Sequence, residues 1–381
     1  MLSGLLKRDV FAAIAAIMTM FAAGAAGAVD TLAKQAIIVD YQTGTVLMEK
    51  NADESIHPAS MSKLMTLEIL FQQLKKGQIK LTDTFPVSER AWAHNEGSTM
   101  FVGINTQIPV EDLIRGIVVQ SGNDACIVVA EGLSGTEEAF VELMNKRAAE
   151  LGLENSHFRN SHGLEDPNHK MTVRDLLKLA EHIYREYPEY YHYFSEKEFV
   201  FNNIKQQNRN PLIYKNIGVD GLKTGHLSVS GFGVVVSAQR DGRRIFMVLH
   251  GMEDMQQRSD EATNMVEWAF REFNNYALAK PGQVLDEAPV WYGSAPTVPL
   301  TVATDLVATL PRSGRDQAQI KVIFDGPIPA PIAQGQEVGK IVIETPGYGK
   351  TEAPLVAAAA VDRQGFVGRA FSNLEYFLFG M

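Results

Sequence analysis

Apolar residues recur along this chain with two different periods. Residues 35–50 (QAIIVDYQTGTVLMEK) read as two β-runs around a Gln-Thr-Gly turn, which predicts a hairpin. A second hairpin is clearer, at 232–240 and 243–250, joined by Asp241-Gly242, a pair whose positive φ values suit the twist of paired strands. Between the hairpins the spacing changes to three and four. It predicts a helix over 60–76 that stops at Gly77, and further helices over 110–132, 136–151 and 172–187, the last ended by Pro188. Strands at both ends with helices between them predict an α+β fold rather than a doubly wound parallel sheet. After a helix expected to end near Lys280, Pro281-Gly282 opens a different texture. Short β-like runs at 289–292, 300–310, 320–324, 338–344 and 355–360 are separated by Pro and Gly, the pattern of a small β-sandwich.

Both ends of the chain carry separate signals. Lys7 and Arg8 precede an apolar run over 11–23, too short to span a bilayer comfortably, and Ala26-Gly27-Ala28 offers small residues for cleavage. Residues 1–28 are therefore expected to be a signal peptide, which puts the chemistry outside the cytoplasm. At the other end Phe366, Val367, Ala370, Phe371, Leu374, Phe377, Leu378 and Met381 share one helical face, with Arg363, Arg369, Asn373 and Glu375 elsewhere. Such a helix, over 362–381, suits a membrane interface, although terminal helices also dock on their own domains.

Composition narrows the function. With 381 residues and 45% hydrophobic content, the chain is too long for one ordinary domain and too apolar to be disordered. A net charge of -10 argues against nucleic acid as a partner. One cysteine excludes an intramolecular disulfide framework and any multi-cysteine metal cluster.

Candidate chemistry begins at Ser60-Met61-Ser62-Lys63. A spacing of three puts the Ser60 hydroxyl and the Lys63 amine one helical turn apart. Serine needs a base within hydrogen-bond reach, and lysine can be that base only if burial or a neighbouring cation lowers its pKa. Alone the pattern is weak, since about one S-x-x-K is expected by chance at this length. Two further motifs strengthen it. Ser121-Gly122-Asn123 interrupts an apolar helical stretch, and Lys223-Thr224-Gly225 lies in what reads as a strand before the long hairpin. In this order the three form a signature shared by class A β-lactamases and penicillin-binding proteins, with Ser-Gly-Asn here in place of Ser-Asp-Asn.

On these motifs, with Leu113-Ile114-Arg115-Gly116, Gln120 to Cys126 and Lys223 to His226 around them, the chain resembles the low-molecular-weight penicillin-binding proteins. Specifically it resembles the D-alanyl-D-alanine carboxypeptidases of the penicillin-binding protein 5 type. The resemblance implies a transpeptidase-like catalytic domain over 29–280, a β-domain over 281–361, and peripheral attachment to the periplasmic face of the inner membrane through the terminal helix. It further implies that Ser60 is the acylated nucleophile, Lys63 its base, and Ser121 a proton relay to the departing D-alanine. Asn123 would hold a substrate amide, Lys223 would depress the Lys63 pKa, and Thr224 would bind the terminal carboxylate. The strand carrying Gly225 would pair with the peptide, the Ser60 and His226 amides would form the oxyanion hole, and Arg258 would bind a carboxylate, with Arg243 and Arg244 competing for that role.

The implied partners are peptidoglycan stem peptides and, as covalent inhibitors, β-lactams; no cofactor or metal is implied, and the sequence leaves a homodimer open. A β-lactamase, a D,D-endopeptidase and a non-catalytic wall-binding scaffold are the alternatives. The β-domain and tail argue against the first, the β-domain against the second, and the intact Ser60, Lys63 and Lys223 against the third. Other features read as structural. Cys126 lies in an apolar helix, the histidines at 157, 162, 169, 182 and 192 lack H-E-x-x-H spacing, and the aromatic run 184–194 reads as packing. Glu165 precedes Asn168 at one residue short of the deacylating E-x-x-x-N of class A β-lactamases.

Overall fold

The computed structural model describes residues 29–313, 318–344, 350–366 and 368. The expected signal peptide and most of the expected terminal helix lie outside them.

In chain order the first part contains β1 (Gln35–Asp40), β2 (Val46–Lys50), α1 (Lys63–Lys75), β3 (Thr84–Pro86), α2 (Glu89–Ala93), β4 (Gln107–Pro109), α3 (Val110–Arg115), α4 (Asn123–Ser134), α5 (Glu137–Glu150) and α6 (Val173–Glu186). There follow β5 (Glu198–Phe201), β6 (Ile204–Gln207), β7 (Val219–Leu227), β8 (Gly231–Arg240), β9 (Arg243–Met252) and α7 (Met255–Glu272). The second part contains β10 (Phe273–Ala279), β11 (Asp286–Trp291), β12 (Thr297–Val302), β13 (Leu306–Pro311), β14 (Gln319–Phe324), β15 (Ile328–Pro329), β16 (Glu337–Glu344) and β17 (Lys350–Ala357).

Both hairpins form as the alternation requires, and they join in one antiparallel sheet of order β2-β1-β9-β8-β7. Asp241 and Gly242 adopt φ of 50° and 80°, the left-handed pair that the two-residue turn needs. One face of this sheet packs on α7 through Val234, Val236, Met247, Leu249, Met265 and Trp268. The other carries Val235, Phe246 and Val248 into a larger core filled by α1, α4, α5 and α6. Side chains alternate between faces along a strand, so β8 and β9 supply both cores. α1 has almost no polar face because it runs through the middle of its layer, with residues from Lys63 to Phe71 buried.

Two helical expectations are corrected. The stretch 110–132 is not one helix. α3 passes into a π-helical turn over Gly116–Gln120, Ser121 turns left-handed at φ 65°, and α4 starts afresh at Asn123. Ser and Gly at the break outweigh the apolar periodicity that continues on either side. Likewise α7 ends at Glu272, and the residues read as its continuation to Lys280 form β10. Tertiary pairing decides this, because β10 is antiparallel to β13 over Phe273↔Pro311 to Ala279↔Leu306. The run 300–310 also divides, with β12 in one sheet and β13 in another.

The second part is a six-stranded sheet of order β14-β16-β17-β12-β11-β15, together with the β10–β13 pair. Ala279, Leu300, Ala308, Ile341 and Leu355 from both sheets share one core. Contacts to the first part are both apolar and polar: Phe273 of β10 lies in the core under α7, its ring 5.2 Å from that of Trp268. Thr43 Oγ1 meets Thr309 Oγ1 at 2.5 Å, and Asn275 donates to Asp40 Oδ1 at 3.1 Å. Arg243 donates to Asp40 Oδ2 at 2.7 Å and to the carbonyls of Ala269 and Phe273, both at 2.9 Å.

Candidate active site

The chain enters α1 through a 3₁₀ turn, Ala59–Ser62, which sets the half-buried Ser60 at the floor of a cleft. Two close approaches fix this turn. A Cβ on Gly225 of β7 would lie 2.8 Å from the Pro58 carbonyl oxygen, and one on Gly163 would lie 2.1 Å from that of Ala59. Glycine is the residue that lets both segments press directly on the nucleophile turn.

Lys63 is fully buried and its Nζ reaches three oxygens: Ser60 Oγ at 2.7 Å, Asn123 Oδ1 at 2.7 Å and the His162 carbonyl at 2.5 Å. A neutral amine has two N–H donors and one lone pair. Asn123 Oδ1 and the His162 carbonyl can only accept, so they take both protons. The lone pair is left for the one neighbour that can donate, the Ser60 hydroxyl. Burial pushes the Lys63 pKa down to about 8, aided by Arg209 and opposed by Cys126 and Asp124. The cation expected to do this, Lys223, is itself held well below the usual lysine range by burial and by Lys63. Lys63 thus lowers the Lys223 pKa, whereas the Lys63 shift comes from desolvation and Arg209 rather than from Lys223 as expected.

Lys223 comes from β7 and donates to Ser121 Oγ at 2.9 Å and to the Thr224 carbonyl at 3.1 Å. The break between α3 and α4 has its use here, since the left-handed Ser121 lines the cleft with its hydroxyl on Lys223. Asn123 is held from two sides. Its Oδ1 serves Lys63, and its Nδ2 donates to the Glu96 carbonyl at 2.8 Å, so both ends of the amide are engaged within the protein.

The cleft, about 480 Å³, is lined by Ser60, Ser121, Asn123, Thr224, Gly225, His226 and Arg258 among others. β7 is an edge strand, so one side of its backbone faces this space. Arg258 lies over the Phe232 ring at 5.6 Å, its pKa is lowered to about 10 by burial and by Arg209, and its buried Nε has no partner among the described residues. His226 stacks on the same ring at 3.9 Å, its pKa lowered by burial and by Arg258. The competing arginines are occupied elsewhere. Arg243 is tied to Asp40, and Arg244 binds Asp220 and Gln239; neither lines the cleft.

Arg209, exposed at the cleft wall, was not singled out from the sequence. Asn208 and Asn210 flank it, anchored to the Glu196 and Gly221 carbonyls at 2.9 and 3.2 Å. The Asn-Arg-Asn-Pro turn was its available signal. Glu165 does not line the cleft, although Gly163 and Leu164 do. Cys126 is buried and its thiol is pushed up to about 12, chiefly by desolvation. The aromatic run packs internally, with Phe71 against Tyr187, Tyr190 and Phe194.

Comparison with known proteins agrees with this geometry. Residues 20–254 match the D-alanyl-D-alanine carboxypeptidase peptidase family, and residues 273–363 match the penicillin-binding protein 5 C-terminal domain. The chain is 37% identical to D-alanyl-D-alanine carboxypeptidase DacA of Haemophilus influenzae over 343 residues, covering 89% of this chain and 87% of the relative. It is 36% identical to DacC of Escherichia coli over 373 residues, covering 94% and 93%. The solved structure of penicillin-binding protein 5 from Haemophilus influenzae superposes with a TM-score of 0.78 at 37% identity, covering 88% of this chain and 99% of that one. Penicillin-binding protein 6B from Escherichia coli gives 0.72 at 31%, covering 88% and 98%. With an α+β catalytic domain followed by a β-rich domain, the chain belongs to the D-alanyl-D-alanine carboxypeptidase family of low-molecular-weight penicillin-binding proteins.

Proposed function

We propose that this chain is a serine D-alanyl-D-alanine carboxypeptidase that trims the terminal D-alanine from peptidoglycan stem peptides through an acyl-enzyme on Ser60. The observation that carries the reading is the buried Lys63 amine, 2.7 Å from Ser60 Oγ, with a pKa lowered to about 8. Lys63 takes the Ser60 proton as Oγ attacks the penultimate carbonyl, and the oxyanion is held by the amides of Ser60 and His226. Ser121, held by Lys223, gives its proton to the departing amine of D-alanine and is reprotonated by Lys63, which returns Lys63 to the neutral amine. Water then hydrolyses the ester, with Lys63 again accepting a proton. Thr224 and Arg258 receive the terminal carboxylate, Arg258 having a buried donor without a partner among the described residues. Arg209 adds a second cation to the same cleft.

β-Lactams enter as substrates that acylate Ser60 and leave slowly. Intact-protein mass spectrometry after penicillin should show one adduct, mapped to Ser60, and release of D-alanine from a pentapeptide should vanish in the acylated protein. An adduct elsewhere, or none, overturns the assignment.

The finer organisation belongs to the same proposal. Residues 1–28 direct export, and 362–381 lie in the membrane interface on the periplasmic face, supported by their sequence pattern. The catalytic domain runs to Glu272 rather than 280, because Phe273–Ala279 pairs within the β-rich domain, which we take as a small sandwich. Removal of 366–381 should release the protein from membranes and leave turnover of soluble peptide intact; a truncated form that stays bound refutes the anchor.

A further inference from the structure

We infer that Asp124, beside the Ser-Gly-Asn motif, is a positioning residue for the general base: its carboxylate winds the segment 96–102 into the shape that orients Asn123 toward Lys63. The inference rests on the proposed roles of Ser60 and Lys63.

Asp124 is buried and has no ion pair among the described residues. Neutral donors satisfy its carboxylate instead. Oδ1 accepts from the amides of Met100 and Ala125, both at 2.9 Å, and Oδ2 accepts from Thr99 Oγ1 at 2.5 Å and the Val102 amide at 3.1 Å. Three of these four donors lie in one short loop. Thr99 Oγ1 also accepts from the Phe101 amide at 2.9 Å. The loop is thereby closed around the anion, and Phe101 is left at φ 69° and 45% exposed. A left-handed φ is costly for a bulky residue and persists only where surrounding bonds over-determine it. The carboxylate supplies those bonds.

The same segment holds Asn123. The Asn123 amide donates to the Ser98 carbonyl at 2.7 Å, and its Nδ2 donates to the Glu96 carbonyl at 2.8 Å. That second bond decides which end of the side-chain amide faces Lys63. With Nδ2 committed to Glu96, Oδ1 must point at Nζ, where it takes one of the two amine protons and leaves the lone pair for Ser60. Displacing the segment would free the amide to rotate and offer Lys63 a donor instead of an acceptor.

The clamp also accounts for the middle residue of the motif. A Cβ on Gly122 would lie 2.7 Å from Asp124 Oδ1 and 3.1 Å from the Met100 amide. The space that the aspartate of Ser-Asp-Asn would need is filled by the Asp124 carboxylate and the loop it holds.

Asp124 has a second action through its charge. Lys63 is faced by Asp124 and Cys126 from α4, Arg209 beside the cleft, Lys223 on β7, and His162 and His169 from the loops before α6. Asp124 favours the charged amine; removing its charge lets the amine lose its proton at lower pH.

The test is the second-order rate of Ser60 acylation by a labelled penicillin, measured against pH in the full chain. Asp124→Asn should lower the plateau rate at least about tenfold and move the acid limb down by roughly half a pH unit. A merely structural residue would lower the rate and leave the limb in place. Thr99→Val keeps the charge and removes both bonds of the Thr99 hydroxyl, to Asp124 and from the Phe101 amide, so it should lower the rate several-fold with the limb unmoved. It decides the loop role even if Asp124→Asn does not fold. Wild-type rates in Thr99→Val, or an unshifted limb in folded Asp124→Asn, overturn the inference. No Ser60 adduct in the wild type overturns the underlying reading instead.

Discussion

The two parts of this molecule bury different things. In the β-rich domain the buried polar residues among those described are Thr301 and Thr309, and the core is otherwise aliphatic, built on Leu300, Leu310, Ile341 and Leu355. The catalytic domain buries Lys63, Lys223, Ser121, Asn123, Asp124, Glu68, Glu137 and Arg258 in or around the layer that should be its best core. Burying a charge is expensive unless it is paired, and two lysines side by side oppose each other as well. The difference teaches that one half is optimised for stability and the other holds a strained arrangement that its neighbours must maintain. Glu68 illustrates the maintenance. Sitting on α1 below Lys63, its Oε1 accepts from Arg147 at 2.8 Å, Tyr187 at 2.9 Å and His182 at 3.2 Å.

This contrast can be broken most directly at Lys63. Lys63→Met should abolish acylation, by at least about a thousandfold, and raise the melting temperature. The sign follows from linkage. Lys63 titrates at about 8 in the folded state and near 10.5 unfolded. Below pH 8 the native state carries the full penalty, on the order of 3 kcal/mol; between 8 and 10.5 the unfolded chain binds more protons and stability rises with pH. Calorimetry on wild type and variant checks this, and an unchanged or lower melting temperature would mean that the hydrogen bonds offset the burial. The same pKa predicts a rising pH–acylation profile with its acid limb near 8, because about a tenth of Lys63 is neutral at pH 7 against about one part in three thousand for an ordinary lysine. A flat profile between pH 6 and 9 would exclude Lys63 as the base.

A smaller effect is expected where the cleft recognises rather than reacts. Arg258→Ala should reduce kcat/KM on a pentapeptide by about ten- to a hundredfold, mostly through KM, whereas Arg244→Ala should act on stability. Equal kinetic losses in the two variants would remove the distinction drawn from their partners. In the other domain Leu355→Ala should cost about 2–5 kcal/mol of stability and leave the acylation rate within roughly twofold. A large kinetic effect there would show that the two parts are not independent. Smallest of all, Glu165→Gln should leave the lifetime of the penicilloyl adduct unchanged, since Glu165 does not line the cleft. A longer lifetime would identify it as the deacylating base after all.

Local order in the chain decided a good deal. Alternation and an Asp-Gly turn determined both hairpins of the main sheet, because period and turn chemistry are properties of a few adjacent residues. Residue type and spacing likewise marked Ser60, Lys63, Ser121, Lys223 and the neighbours of each, and the structure brings all four to one cleft. What tertiary structure decided is everything that depends on a distant partner. Phe273–Ala279 is a strand only because Leu306–Pro311 is there to pair with it. Arg258 and Arg209 reach the cleft, while Arg243 and Arg244 are drawn off by carboxylates brought close through folding. The direction in which Asn123 points is set by a carbonyl twenty-seven residues away. Lysine becomes a base at Lys63 through desolvation, and burial is a property of the packed molecule that no stretch of sequence carries alone.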